Sequence, residues 1–278
     1  MRVARAIIVY AVAVVLLGAL LAPWLFWLVQ WLAANSDFFA NWTRHPFKRI
    51  FNRSLLIVAL AGLWPLLRSL GYRSWNEIGY PRRAGWWREF AAGLVLGVCS
   101  LSLAALVAGK ALDWADFTPA LVGKLCVTAL VVAVIEETFF RGGLQGGLQR
   151  GMPWQVALVV ASVIYSALHF MKPTGVRLAA ADVTWMSGFE WVRLILANNF
   201  TRPEVLTGFV TLCVAGGLLG WGFVKTGALY FSIGLHAGWV LANELVRELG
   251  GGNVTENWRT WPVMVVLGLV IWRWPKRS

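Results

Sequence analysis

The sequence predicts an all-α fold, a polytopic transmembrane helical bundle of about eight spans. Three features carry that expectation. Of the 278 residues, 59% are hydrophobic and only 14% charged, whereas a soluble domain carries about a quarter charged residues. Apolar runs of roughly 20 residues, the length that crosses a hydrocarbon core, recur along the whole chain. The basic residues and many of the 18 tryptophans gather in the connections between those runs, as side chains do among lipid headgroups.

Taken in order, hydrophobic periodicity places the spans at about 6–34, 54–70, 89–112, 119–149, 153–171, 204–226, 228–248 and 259–274. The opening "MRVAR" and the run behind it look like a secretory signal. The run continues through "PWLFWLVQW", however, with Pro23 directly after the best small-residue cut at Ala22, so the first span is read as uncleaved. The second and eighth spans are short, which suits a tilted or partly interfacial position. The connection Lys172–Pro203 repeats Trp185, Phe189, Val192 and Leu196 at helical spacing, which predicts a short helix lying in the interface. An even number of spans puts both termini on one side, and their basic ends favour the cytoplasmic side. No internal repeat or low-complexity linker interrupts the chain. The reading is one integral-membrane domain over 1–278, in the inner or plasma membrane for a bacterial source.

The formal net charge of +12 raises nucleic acid as a partner. Its placement speaks against it: "HPFKRIFNRS", "YPRRAGWWREF" and "WRWPKRS" are interleaved with aromatics, and no basic surface remains once the spans are removed. The partner these stretches fit is the lipid bilayer. Cys99, Cys126 and Cys213 all fall in apolar runs without CxxC spacing, so neither a disulfide framework nor a zinc knuckle is expected. His45, in "TRHPF", reads as an interfacial loop histidine.

The ionisable groups inside the spans are the functional lead, because each costs on the order of 3 kcal/mol to insert and faces the bundle or water. They are Glu136, Glu137 and Arg141 in the fourth span, His169 in the fifth, and His236 and Glu244 in the seventh. Glu137 and Arg141 stand at i and i+4 and can neutralise each other on one face, which leaves Glu136 over. Glu136 and His169 are equally far from the turn at Gly151–Pro153, so in an antiparallel hairpin both lie about 25 Å from it. His236 is only about 12 Å of helix from the turn at Gly227. Sharing one cavity therefore needs the Gly151 turn to project beyond the Gly227 turn, or the helices to tilt, and projection is the expectation. Glu244 reads as interfacial or paired with a nearby arginine.

A poorly solvated carboxylate can take a proton from water, and a histidine beside it can steady that water or protonate a leaving amine. This set suits hydrolysis. There is no GxSxG for a serine hydrolase and no HExxH for a zinc protease. Two histidines and a glutamate from separate helices could still bind a metal. The glycines of "RGGLQGG" are read as helix-packing positions, since no phosphate-loop pattern follows.

"EETFFR" (Glu136–Arg141), "YSALH" (Tyr165–His169) and "HAGWVLAN" (His236–Asn243) resemble the three ordered motifs of the CAAX protease and bacteriocin-processing family. That family includes the type II CAAX prenyl endopeptidases, which are glutamate-dependent intramembrane proteases. The resemblance covers about 119–248 as the catalytic core. It implies Glu136 as the water-activating base, His169 as its partner and His236 as a water or oxyanion ligand. Glu137 and Arg141 would support the pocket, with Tyr165 packed beside His169. It implies no cofactor and no metal. The substrate it implies is a membrane protein or a lipid-modified peptide: a CAAX-type tail, a bacteriocin-like peptide or a C-terminal sorting segment. The chain departs from the family at Val240, where Asn or Asp is expected, and Asn243 is the candidate for that oxyanion support. Val240 favours a non-enzymatic immunity or scaffold protein on the same fold. An intramembrane zinc metalloprotease and a proton-coupled transporter complete the alternatives.

Overall fold

The computed structural model describes residues 2–39, 46–115, 117–170, 178–198, 203–254 and 258–274. Among them every regular element is helical. In chain order these are α1 (Arg2–Asn35), α2 (Phe47–Ser69), the single turn α3 (Trp75–Ile78), α4 (Trp86–Val107) and α5 (Pro119–Gln149). Then follow α6 (Trp154–Phe170), α7 (Ser187–Asn198), α8 (Pro203–Thr226), α9 (Tyr230–Glu248) and α10 (Trp261–Arg273). All eight expected spans correspond to helices. Among the described residues α1, α2, α4, α5 and α8 are long and apolar enough to cross a membrane, and α6 is a shorter apolar helix. This is an integral membrane protein.

The helices begin where local chemistry starts them. Pro46 precedes α2 with extended backbone. The Thr118 hydroxyl accepts the Leu121 amide at 3.2 Å, and Pro119 occupies the first turn of α5, where its missing N–H costs nothing. Pro23 and Pro65 lie inside α1 and α2.

The chain packs as two compact units. The first comprises Met1–Gly71 and Met171–Thr201. There α1 and α2 touch at Gly18, whose missing Cβ would lie 3.1 Å from the Leu55 Cα, and the Ser54 hydroxyl donates to the Gly18 carbonyl at 2.7 Å. Helix α7 packs on the middle of α1 through Gly188, where a Cβ would fall 1.9 Å from the Ala19 carbonyl oxygen. That approach selects the buried stripe. Trp191 and Ile195 are inside with Phe26, Phe47 and Phe51, whereas Trp185 and Leu196 are 60% and 61% exposed. The expected interfacial stripe is thus only partly right, because a glycine invisible to a hydrophobic pattern decides which face docks. His45 lies outside the described residues.

The second unit comprises Tyr72–Phe170 and Arg202–Ser278. Its backbone is the parallel pair α4 and α9. A Cβ on Gly93 or Gly97 would lie 2.2 or 2.4 Å from the carbonyls of Phe231 and Leu235. On Gly234 or Gly238 it would lie 2.0 or 2.5 Å from those of Phe90 and Leu94. Small residues let helix backbones meet in this way. The consequence is that α9 can be polar and still buried: Phe231 to Trp239 are all inside, His236 included. Around the pair, Leu101, Leu219, Leu235, Leu267 and Ile271 form the core. α10 is tied to α8 by Trp261 Nε1 on the Thr211 hydroxyl at 2.9 Å and Lys225 Nζ on the Trp272 carbonyl at 2.8 Å. Cys99 and Cys126 are exposed and Cys213 half-buried, all as free thiols.

Replacing Gly97 with valine should force α4 off α9 and cost about 1–3 kcal/mol or more from overpacking. Gly123→Val, at a position with nothing within 4 Å of a Cβ, serves as control. Thermal unfolding in detergent should show a fall for the first and not for the second; equal midpoints would mean that the two helices are not in backbone contact.

Candidate active site

Within the second unit α5 changes register after Glu137. Thr138–Gln145 forms a π-helix, with the Gly146 N–H donating to the Arg141 carbonyl, before one α-turn closes at Gln149. Such i→i+5 turns are rare and mark functional places in helices. All but Phe139 of these eight residues are buried.

Two clusters meet there. The inner one is ionic. Arg141 Nη1 donates to Glu137 Oε1 at 2.8 Å, and His236 Nδ1 approaches the same oxygen at 2.7 Å. Arg141 Nη2 donates to the Gly216 carbonyl at 3.2 Å, and its guanidinium lies 4.6 Å from the Tyr165 ring centroid. Side-chain exposure is 0% for Glu137, 2% for Arg141 and 5% for His236. Charge buried to this degree persists only when paired and hydrogen-bonded.

The outer cluster is the accessible one. Glu136 Oε2 lies 3.5 Å from His169 Nε2 and 3.8 Å from His236 Nε2, with Glu136 and His169 each 26% exposed. His169 Nδ1 is 2.8 Å from the Tyr165 carbonyl. A carbonyl only accepts, so this nitrogen carries the hydrogen and Nε2 of the neutral ring has its lone pair towards Glu136. His236 Nδ1 faces a carboxylate and so carries a hydrogen as well, which leaves its Nε2 to hold either a lone pair or a second hydrogen. Glu136 Oε2 and Glu137 Oε2 are buried without a hydrogen-bond partner among the described residues.

The depth question resolves through Gly142. It is this residue, not the end of α5, that meets Leu229 just before α9. α5 runs on for seven residues, about 10 Å, past that crossing, and the offset brings His236 level with Glu136. Gly216, which Arg141 reaches, is 13 residues after Pro203 and 10 before Thr226. The cluster therefore sits about 15–20 Å from either end of α8, near the middle of a helix long and apolar enough to cross a membrane.

Glu136, Glu137, Arg141, His169 and His236 are thus brought together. Asn243 is placed elsewhere: its Oδ1 accepts the Val254 N–H at 3.3 Å, seven residues or about 10 Å of helix beyond His236. Glu244 pairs with Arg247 at 2.6 Å. Among the described residues no group of three or more His, Cys, Asp or Glu side chains is arranged to hold a metal ion. Motif spacing did not mark the Gly216 carbonyl, nor Gln145, whose Nε2 donates to the Gly220 carbonyl at 3.1 Å. The only trace in the sequence is a glutamine inside an apolar span.

Residues 118–242 match the family model of type II CAAX prenyl endopeptidases described as Rce1-like. The matched stretch holds all five clustered residues and Val240, and ends one residue short of Asn243. In general terms the chain is similar there to a CAAX-type intramembrane protease. No curated protein and no solved structure matches the chain.

Removing one member of the buried pair leaves the other charged and unsatisfied. Arg141→Met should destabilise the protein by about 3–5 kcal/mol, and adding Glu137→Gln should recover part of that. Denaturant titration of both variants in mixed micelles measures this; an Arg141→Met variant as stable as the parent would show that the pair is not buried as described.

Proposed function

We propose that the chain is an intramembrane glutamate-type endopeptidase. It hydrolyses a peptide bond near a membrane-embedded or lipid-modified segment of its substrate. The observation that carries this is Glu136 Oε2 facing two histidine Nε2 atoms whose Nδ1 atoms are both engaged. A water beside them meets acceptors in Glu136 and His169, so its hydrogens are drawn to those two while its lone pair faces outward.

In the proposed reaction Glu136 takes a proton from that water as its oxygen attacks the scissile carbonyl. His169, held by the Tyr165 carbonyl, orients the water. In this scheme His236 bears a hydrogen on each ring nitrogen, with Nδ1–H held by Glu137 Oε1, and donates Nε2–H to the oxyanion, the role that a preorganised donor fills in acyl transfer. Arg141 holds the Glu137 carboxylate in place through its 2.8 Å contact. The proton held by Glu136 passes to the leaving amine, and the carboxylate is restored. With Val240 bringing no amide and Asn243 bonded to Val254, His236 is the oxyanion donor in this scheme.

Glu136→Gln keeps shape and hydrogen-bonding capacity but cannot accept the proton, so it should abolish cleavage while leaving thermal unfolding unchanged. The assay is mass spectrometry of a peptide with a prenylated C-terminal tail, alongside its unlipidated twin, incubated with the purified protein in proteoliposomes. Cleavage should be equal with and without a strong chelator. Reversible inhibition by the chelator would replace this mechanism with a zinc one, and an active Glu136→Gln would remove the base. No cleavage of any membrane-tethered peptide would favour the scaffold reading that Val240 raises.

A further inference from the structure

The π-helical segment carries Arg141 and follows directly on both glutamates, yet the ionic cluster does not account for what holds it in that register. A π-turn is rare because its geometry is less favourable than that of the α-helix it replaces, so neighbouring contacts must select it. Two of those contacts come from α8, at Gly216 and Gly220. Further contacts come from the stretch Tyr72–Tyr80, which precedes α4.

At the start of the segment, Thr138 donates its only hydroxyl hydrogen to the Val134 carbonyl. The hydrogen in the Tyr80–Thr138 bond must therefore come from the Tyr80 hydroxyl. In the middle, the Tyr72 hydroxyl donates to the Gly142 carbonyl at 2.7 Å. The fit is close on both sides of that bond. A Cβ on Gly146 would lie 2.6 Å from the Tyr72 hydroxyl, and one on Gly142 would lie 2.8 Å from the Ile78 carbonyl. Ile78 is fully buried and Tyr72 nearly so. Burial pushes the Tyr72 phenol up to about 12 and raises that of Tyr80 as well. A phenol with a raised pKa keeps its proton as pH rises through the neutral range, so both remain donors.

We infer that Tyr72 and Tyr80 are positioning residues, a two-point clamp that holds Thr138–Gln145 in π register and so aims the Glu137–Arg141–His236 cluster. Neither touches the reacting atoms. Thr138 is adjacent to Glu137, so a slip of the segment back to α register would turn Arg141 away from the Gly216 carbonyl and disturb the geometry of its bond to Glu137. It would also loosen the oxygen that orients His236. The clamp rests on the peptidase reading for its catalytic consequence, but not for its structural one.

The test uses Tyr72→Phe, Tyr80→Phe and the double variant in the full-length protein, which lose one, one and two hydroxyls with the rings kept. Hydrogen exchange read by mass spectrometry should show faster exchange in peptides covering 138–145, with peptides from α4, α8 and α10 unchanged. With the prenylated peptide, kcat should fall about 10-fold in each single variant while KM stays within about 2-fold. In an Arg141→Lys background the Tyr80→Phe change should add little, because both act on one cluster. Unchanged exchange over 138–145 would overturn the clamp, as would an exchange increase spread evenly over the unit. An inactive parent protein would sink the peptidase reading while the exchange measurement still decided the clamp.

Discussion

The structure depends on a single buried oxygen. Glu137 Oε1 receives Arg141 and His236 at once, and none of the three side chains is more than 5% exposed. Ions at that depth would expel themselves unless every neighbour were already in place. The glycine contacts of α4 and α9 supply one such condition, since they seat the His236 helix deep in the unit. The Gly216 carbonyl supplies another, by taking the second arginine nitrogen. Fold and chemistry are therefore not separable here: the packing exists in the form that keeps one salt bridge dry and one imidazole fixed.

The two histidines are held to different degrees. His236 is enclosed and anchored to a carboxylate, whereas His169 relies on a backbone carbonyl one turn behind it and on the Tyr165 ring at 4.3 Å. Glu136 shares the exposure of His169. The inner cluster is thus sealed by packing, whereas Glu136 and His169 stay open enough to be reached.

Much of this was legible in the residues themselves. Spans follow from hydrophobic length, and the pairing of Glu136 with His169 follows from equal distances to a turn, because a helical hairpin converts residue number into depth. The order of the three motifs carried the resemblance that the family match on 118–242 repeats. What could not be read depends on backbone. The π register leaves no mark on composition, and the tyrosines that grip it are far away in sequence. The face of α7 was set by Gly188, a residue with no hydrophobic signal to contribute. Asn243 shares a helical face with His236, but the amide it meets belongs to the loop at Val254, and periodicity carries no information about loops. The separation into two units was likewise hidden, since the first is closed by a segment more than a hundred residues away from its start.

The glycine notches between α4 and α9 have one further consequence. Helices interlocked backbone to backbone cannot slide along each other without driving a side chain into a carbonyl, so the height of His236 within the unit is constant. Whatever reaches Glu136 and His236 therefore meets them at one level, set by the backbones of two helices rather than by side chains that could rotate to a new one.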